Sequence, residues 1–161
     1  MFRRLFVRGA IAVLFVGAAD AATTTTTFTV QMTITSSCVI NSAGTLDFGS
    51  TGVLSANVDQ TSSIQVQCTN TTPYNIGLDE GAGSGATVAA RKMSNGADTV
   101  TYSLYCDAGR TTVWGNTIGV NTVSGTGSGA AQDFTVYGRV PPQTTPAAAS
   151  YADTVTVTVT Y

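Results

Sequence analysis

Near the end of the chain, Thr154-Val155-Thr156-Val157-Thr158-Val159-Thr160-Tyr161 sets the reading of the fold. Val155, Val157, Val159 and Tyr161 fall on one side of a period of two and four threonines on the other, the pattern of a half-buried β-strand. A second such run stands near the start: Phe28-Thr29-Val30-Gln31-Met32-Thr33-Ile34-Thr35 puts Phe28, Val30, Met32 and Ile34 on one face. Between them the same rule picks out strands at 38–41, 45–48, 62–68, 74–79, 100–106 and 134–140, punctuated by Gly, Asn, Asp and Pro. No stretch beyond residue 21 carries a helical period. Seven or eight short strands in one domain's length predict an all-β sandwich of immunoglobulin type, with a closed barrel as the alternative.

Composition agrees and narrows the chemistry. The 161 residues include 29 threonines and 17 glycines, only 10% are charged, and there is no histidine. Mechanisms that need an imidazole as base or ligand are excluded, and no nucleophile–base pair or metal cluster assembles from what remains. No enzyme activity, cofactor or metal is expected. A formal charge of −2 with no basic tract downstream argues against nucleic acid, which needs a basic surface to displace counterions. The glycine-rich tracts at 81–86 and 124–130 resemble phosphate loops only superficially, because no helical pattern follows to aim amides at an anion. They are expected to be flexible hairpin loops. Asp79 and Glu80 are adjacent and so face opposite ways in a strand, which reads as solvated turn charge.

Residues 1–21 read as a secretory signal peptide. Arg3, Arg4 and Arg8 precede an apolar run over 9–19, and Ala19-Asp20-Ala21 fits the small-x-small cleavage rule. The run is too short for a membrane span, which takes about 20 residues. Removing it leaves Arg91, Lys92, Arg110 and Arg139 as the basic residues against eight acidic ones, an acidic exported domain.

Export permits disulfides. Of Cys38, Cys68 and Cys106, the first shares parity with Ile40 and the second with Ile64 and Val66, so both thiols are expected to face a core. A Cys38–Cys68 bridge is the favoured pairing, leaving Cys106 as a buried, unreactive spare. Two ends that alternate imply something further. The fold reads as one strand short after Tyr161, and the segment ahead of Cys38 has the pattern to fill a groove in another copy by strand addition.

These residues resemble a known family. Thr45-Leu46-Asp47-Phe48-Gly49 after the first cysteine, Cys68-Thr69, Pro73-Tyr74-Asn75-Ile76-Gly77-Leu78, the Tyr102/Tyr105/Asp107/Trp114 segment, Val136-Tyr137-Gly138-Arg139-Val140-Pro141 and the terminal Tyr151-Ala152-Asp153-Thr154-Val155 together look like the spore coat protein U domain, a family that includes pilins of archaic chaperone–usher pili. The resemblance implies an incomplete immunoglobulin-like sandwich completed by a donor strand from a neighbouring subunit. Its partners would be identical or homologous pilin subunits, a periplasmic chaperone and an outer-membrane usher, and its location the cell surface or the medium.

On this sequence the donor strand is expected at Phe28, Val30, Met32 and Ile34, within an extension over 22–37. The acceptor edge is expected at Val155, Val157, Val159 and Tyr161, within a pilin domain over 38–161. Cys38 and Cys68 match the family's disulfide positions, and Cys106 has no counterpart. Surface attachment and biofilm formation would follow. A secreted coat or matrix protein completed by its own N-terminal strand is the alternative, and a lectin-like domain using Trp114 and the tyrosines to stack on sugars is the third reading.

Overall fold

The computed structural model describes Gly17 and residues 20–161. Most of the predicted signal peptide lies outside the described residues. The chain divides into two compact units, Met1–Thr33 and Ile34–Tyr161. In the first, residues 20–33 are exposed and carry no strand. The second holds eight strands: β1 (Cys38–Ala43), β2 (Val58–Cys68), β3 (Pro73–Leu78), β4 (Arg91–Asn95), β5 (Asp98–Tyr105), β6 (Val123–Thr126), β7 (Ala131–Val140) and β8 (Val157–Thr160). No helix occurs among the described residues.

The strands form a five-stranded sheet ordered β1-β2-β7-β5-β4 and a three-stranded sheet ordered β6-β3-β8. Every pairing within them is antiparallel. Alternation makes one face of each sheet apolar, and burying those faces against each other gives a sandwich. Ile64 and Val66 of β2, Val136 and Val140 of β7, and Val100, Tyr102 and Leu104 of β5 pack in one core cluster with Tyr74, Ile76 and Leu78 of β3. This is the immunoglobulin-like architecture that the strand spacing predicts. The longest ladder joins β2 to β7 from Val58↔Val140 to Gln67↔Ala131.

Four features depart from the alternation reading. Residues 27–35 form no strand, because alternation says which face a strand would bury but a strand exists only where a partner takes its backbone hydrogen bonds. Residues 45–48 also form none. The β1 register shifts between Ile40 and Ser42 and the ladder stops at Gly44, whose N–H donates to the Ser63 carbonyl at 2.8 Å. Leu46 and Phe48 then turn inward over Gly138, where a Cβ would lie within 3 Å of both side chains.

The other two departures are strands that alternation missed. β4 reads Arg-Lys-Met-Ser-Asn, with no apolar alternation to announce it. A two-residue hairpin through Gly96 and Ala97 pairs it to β5, and Gly96 takes φ +60° as the first loop position of such a turn favours. β6 overlaps the start of the second glycine tract. Its Gly125 sits opposite Tyr74, and a Cβ there would come 2.5 Å from the Tyr74 ring, so glycine lets the aromatic ring lie across the strand.

A disulfide joins Cys38 to Cys68, which face each other as register partners at one end of the β1–β2 ladder. One residue further out, the Thr69 N–H donates to the Ser37 carbonyl at 2.9 Å, and the Ser37 N–H donates to Thr69 Oγ1 at 3.0 Å. Covalent bond and backbone clasp thus fix the root of the N-terminal segment to the end of β2. Cys106 is a half-buried free thiol against the core. Burial, and then the Asp107 charge, push its pKa up, which suits a packing role.

Candidate functional site

Along one side of the sandwich the two sheets do not close. A cleft of about 1050 Å³ runs between residues 43–54 and residues 145–157. Leu46, Phe48 and Leu54 line one wall and Tyr151, Val155 and Val157 the other, with Ile64, Val100, Leu104 and Val136 at its base. Its lining includes Asp47 and Asp153 but no lysine or arginine. The cleft is therefore long, mostly apolar and without a cation.

β8 borders this cleft as an edge strand, paired to β3 on one side only. Which of its backbone groups are free follows from the register. Asn75 is opposite Thr160 and Gly77 opposite Thr158. One step beyond, the Asp79 N–H donates to the Thr156 carbonyl at 3.1 Å, and the Thr156 N–H donates to Asp79 Oδ1 at 2.8 Å. The threonines thus spend their backbone groups on β3. Because N–H and C=O directions alternate along a strand, Val155, Val157 and Val159 aim theirs at the open edge. Their side chains are half-buried against the core, while Thr156, Thr158 and Thr160 are exposed.

Asp79 is not the solvated turn charge expected from sequence. Its Oδ1 accepts from Gly81 N at 3.0 Å as well as from Thr156 N, standing in for a backbone carbonyl where β3 has ended. Partial burial pulls this carboxyl upward, but the bonds from Thr156 and Gly81 and the Arg91 charge outweigh it, and its pKa sits below the ordinary 3.8. Asp153 holds the same segment from the other side. Its Oδ2 accepts the Tyr102 hydroxyl at 2.8 Å, and its Oδ1 accepts Ala82 N at 2.8 Å. Burial, then the bond to Asp153, keep the Tyr102 phenol protonated well past its ordinary range.

Sequence reasoning missed Arg91 altogether. It is fully buried, and its guanidinium donates only to carbonyls: Nε to Asp79 at 2.7 Å, Nη1 to Val88 at 2.7 Å, and Nη2 to Leu78 at 3.0 Å and to Trp114 at 2.8 Å. Burial lowers its pKa, opposed by Tyr102, Asp79 and other nearby acids. A lone arginine in a polar stretch gives no sequence signal for this role. Trp114 is likewise buried, with Nε1 donating to the Ile76 carbonyl at 2.9 Å, so it is core and not a sugar platform. Together Arg91 and Trp114 seal the end of β3 beside the cleft.

The expected site residues therefore fall into two groups. Val155, Val157 and Val159 stand together on the open edge, with Tyr161 just past the end of β8 and 59% exposed. Phe28, Val30, Met32 and Ile34 are 87%, 82%, 86% and 72% exposed. No group of histidine, cysteine or acidic residues that could hold a metal occurs among the described residues.

Residues 24–158 match the Spore Coat Protein U domain. The chain belongs to that family. Within it, the chain is 35% identical over 158 residues to Protein U of Myxococcus xanthus, an alignment covering 89% of this chain and 88% of that protein. The spore coat protein U fold also matches a chain in the CsuC–CsuE chaperone–tip adhesion subunit pre-assembly complex from the archaic chaperone–usher Csu pili of Acinetobacter baumannii. There the TM-score is 0.57 and the identity 24%, over 80% of this chain and 40% of that one. The chain thus spans less than half the length of that structural relative. The family is the one named for spore coat protein U, and the fold is shared with a chain of that pilus pre-assembly complex.

Proposed function

We propose that this protein is a structural subunit of an archaic chaperone–usher pilus, polymerising by donor-strand complementation. The observation that carries the reading is the open edge of β8: Val155, Val157 and Val159 point their backbone groups outward, and Val155 and Val157 line a cleft that is mostly apolar. An apolar groove with unpaired backbone beside it calls for a β-strand with alternating apolar side chains. Phe28, Val30, Met32 and Ile34 supply that pattern on exposed residues. In the assembled fibre the 27–35 segment of one copy would lie beside β8 of the next, its four apolar side chains entering the cleft. The partners that follow are neighbouring subunits, a periplasmic chaperone that covers the cleft before assembly, and an outer-membrane usher. Residues 1–21 would direct export, 22–37 would be the donor extension and 38–161 the pilin domain. The fibres would serve surface attachment and biofilm formation.

A second reading draws on the family's name and on the likeness to Protein U: a secreted coat protein whose own 27–35 segment completes the cleft. One experiment separates the two. A chain lacking residues 22–35 is expected to be recovered only with a chaperone, or after adding a synthetic peptide covering 28–35. In the pilus case the full-length chain yields end-to-end fibres by electron microscopy. Soluble full-length monomers without fibres favour the coat reading, and a truncated chain that is stable and cooperative by itself overturns both.

A further inference from the structure

On the outer face of the smaller sheet lies a second concavity, of about 210 Å³, at the far side of β3 and β8 from the core. Its construction is unlike that of the long cleft. The floor is Gly77, where a Cβ would stand only 3.1 Å from the Asn116 Cα, so glycine is what lets the 115–122 loop settle close over the sheet. The loop is held in one shape. Gly115 N donates to the Asn121 carbonyl at 2.9 Å and the Gly115 carbonyl accepts Leu78 N at 3.0 Å. Asn121 Oδ1 accepts Thr117 N at 2.8 Å.

The polar groups facing this concavity are all uncharged. Asn75 accepts a bond from the Thr122 hydroxyl at 3.3 Å. The amide of Asn116 and the hydroxyls of Thr158 and Thr160 make no side-chain hydrogen bond to protein among the described residues. Ile118, 54% exposed, stands at the rim.

We propose that this concavity binds one ring of a neutral saccharide. Asparagine amides and threonine hydroxyls each offer both a donor and an acceptor, matching vicinal sugar hydroxyls that do the same. The exposed Ile118 side chain supplies an apolar contact for the C–H face of a ring. No cation lines the site, so the desolvation of an anionic sugar would go uncompensated. The volume falls below the ~300–1,000 Å³ of pockets that take larger ligands, which fits a single ring of a longer chain. Because the loop is already fixed by its own hydrogen bonds, little ordering is needed on binding. The aromatic residues singled out for sugar stacking by sequence play no part.

The test uses the full-length exported material in its native state, fibre or monomer, so its outcome does not depend on the pilus reading. Beads bearing a neutral glucan, galactan or mannan are compared with beads bearing polygalacturonate. Capture by at least one neutral polysaccharide is expected, with apparent affinity lowered roughly tenfold by Asn116→Ala or Thr158→Val, the size of effect that follows from losing a hydrogen-bonding group at a sugar hydroxyl. Thermal unfolding of both variants should match the parent, since neither side chain holds the fold together. No capture on any neutral bead, capture on polygalacturonate alone, or equal capture by parent and both variants overturns the proposal.

Discussion

Placing a carboxylate at Met32 gives the sharpest test of strand donation. Met32 is 86% exposed, so Met32→Asp removes no packing from the subunit that carries it. In the neighbouring cleft the loss is large. Burying a side chain of this size contributes about 1.5–3 kcal/mol, and that term vanishes. The new carboxyl would meet Asp47 and Asp153 but no lysine or arginine among the lining residues, so it must enter neutral. Neutralising an ordinary aspartate at pH 7 costs about 4 kcal/mol. Together these reach about 6 kcal/mol, on the order of 10⁴ in the equilibrium constant for insertion. Gln31→Asp, on the opposite face of the segment, keeps its charge in water and should be nearly neutral. Fibre length on the cell surface and the yield of chaperone-bound subunit are the two readouts. Met32→Asp should abolish fibres while the chaperone complex accumulates, and normal fibres from it would refute the donor assignment.

Three further outcomes concern Arg91, Asp79 and the cysteines. Arg91→Met leaves four carbonyls without their donor and should lower stability by roughly 4 kcal/mol or more; a melting temperature within a degree or two of the parent would count against Arg91 as the keystone of that corner. Asp79→Asn keeps an acceptor oxygen for Thr156 N and Gly81 N, so the change at pH 7 should be small. Because the folded carboxyl has a depressed pKa, its contribution is complete above about pH 4 and lost as pH falls through the folded value. The Asp79→Asn chain should therefore show a shallower loss of melting temperature on acidification, and an unchanged acid slope would sink the assignment. Replacing Cys38 and Cys68 by alanine should cost about 3–4 kcal/mol, judged from a 30-residue separation, as read by denaturant unfolding; Cys106→Ala should leave the disulfide intact by mass mapping.

The strands that carry the core were legible because their apolar residues alternate: Ile64, Val66 and Cys68 in β2 or Val100, Tyr102 and Leu104 in β5 announce an inward face. β4 and β6 were not, since Arg91 and Gly125 hold their places by hydrogen bonding to carbonyls and by making room for Tyr74, neither of which leaves a hydropathy signal. The open edge was half legible. Alternation marked Val155, Val157 and Val159 as inward, but the direction of their backbone groups required the register with β3 and the Asp79 side chain that prolongs it. The near wall was misread as a strand at 45–48, because inward-facing Leu46 and Phe48 look the same in sequence whether the backbone is paired or only draped over Gly138.

The junction at Ser37 and Cys38 has a mechanical meaning. A pull on the chain ahead of Cys38 does not have to peel β1 away residue by residue, since the sulfur bridge hands the force directly to the end of β2. From there it spreads over the ten residue pairs between β2 and β7, which must slide together in order to yield. A filament whose links enter through this junction would be limited in tensile strength by the inserted strand rather than by the subunit body. Under reducing conditions the weak point would move into β1, and single-filament stretching with and without a reductant would register the change as a lower rupture force and a longer extension per subunit.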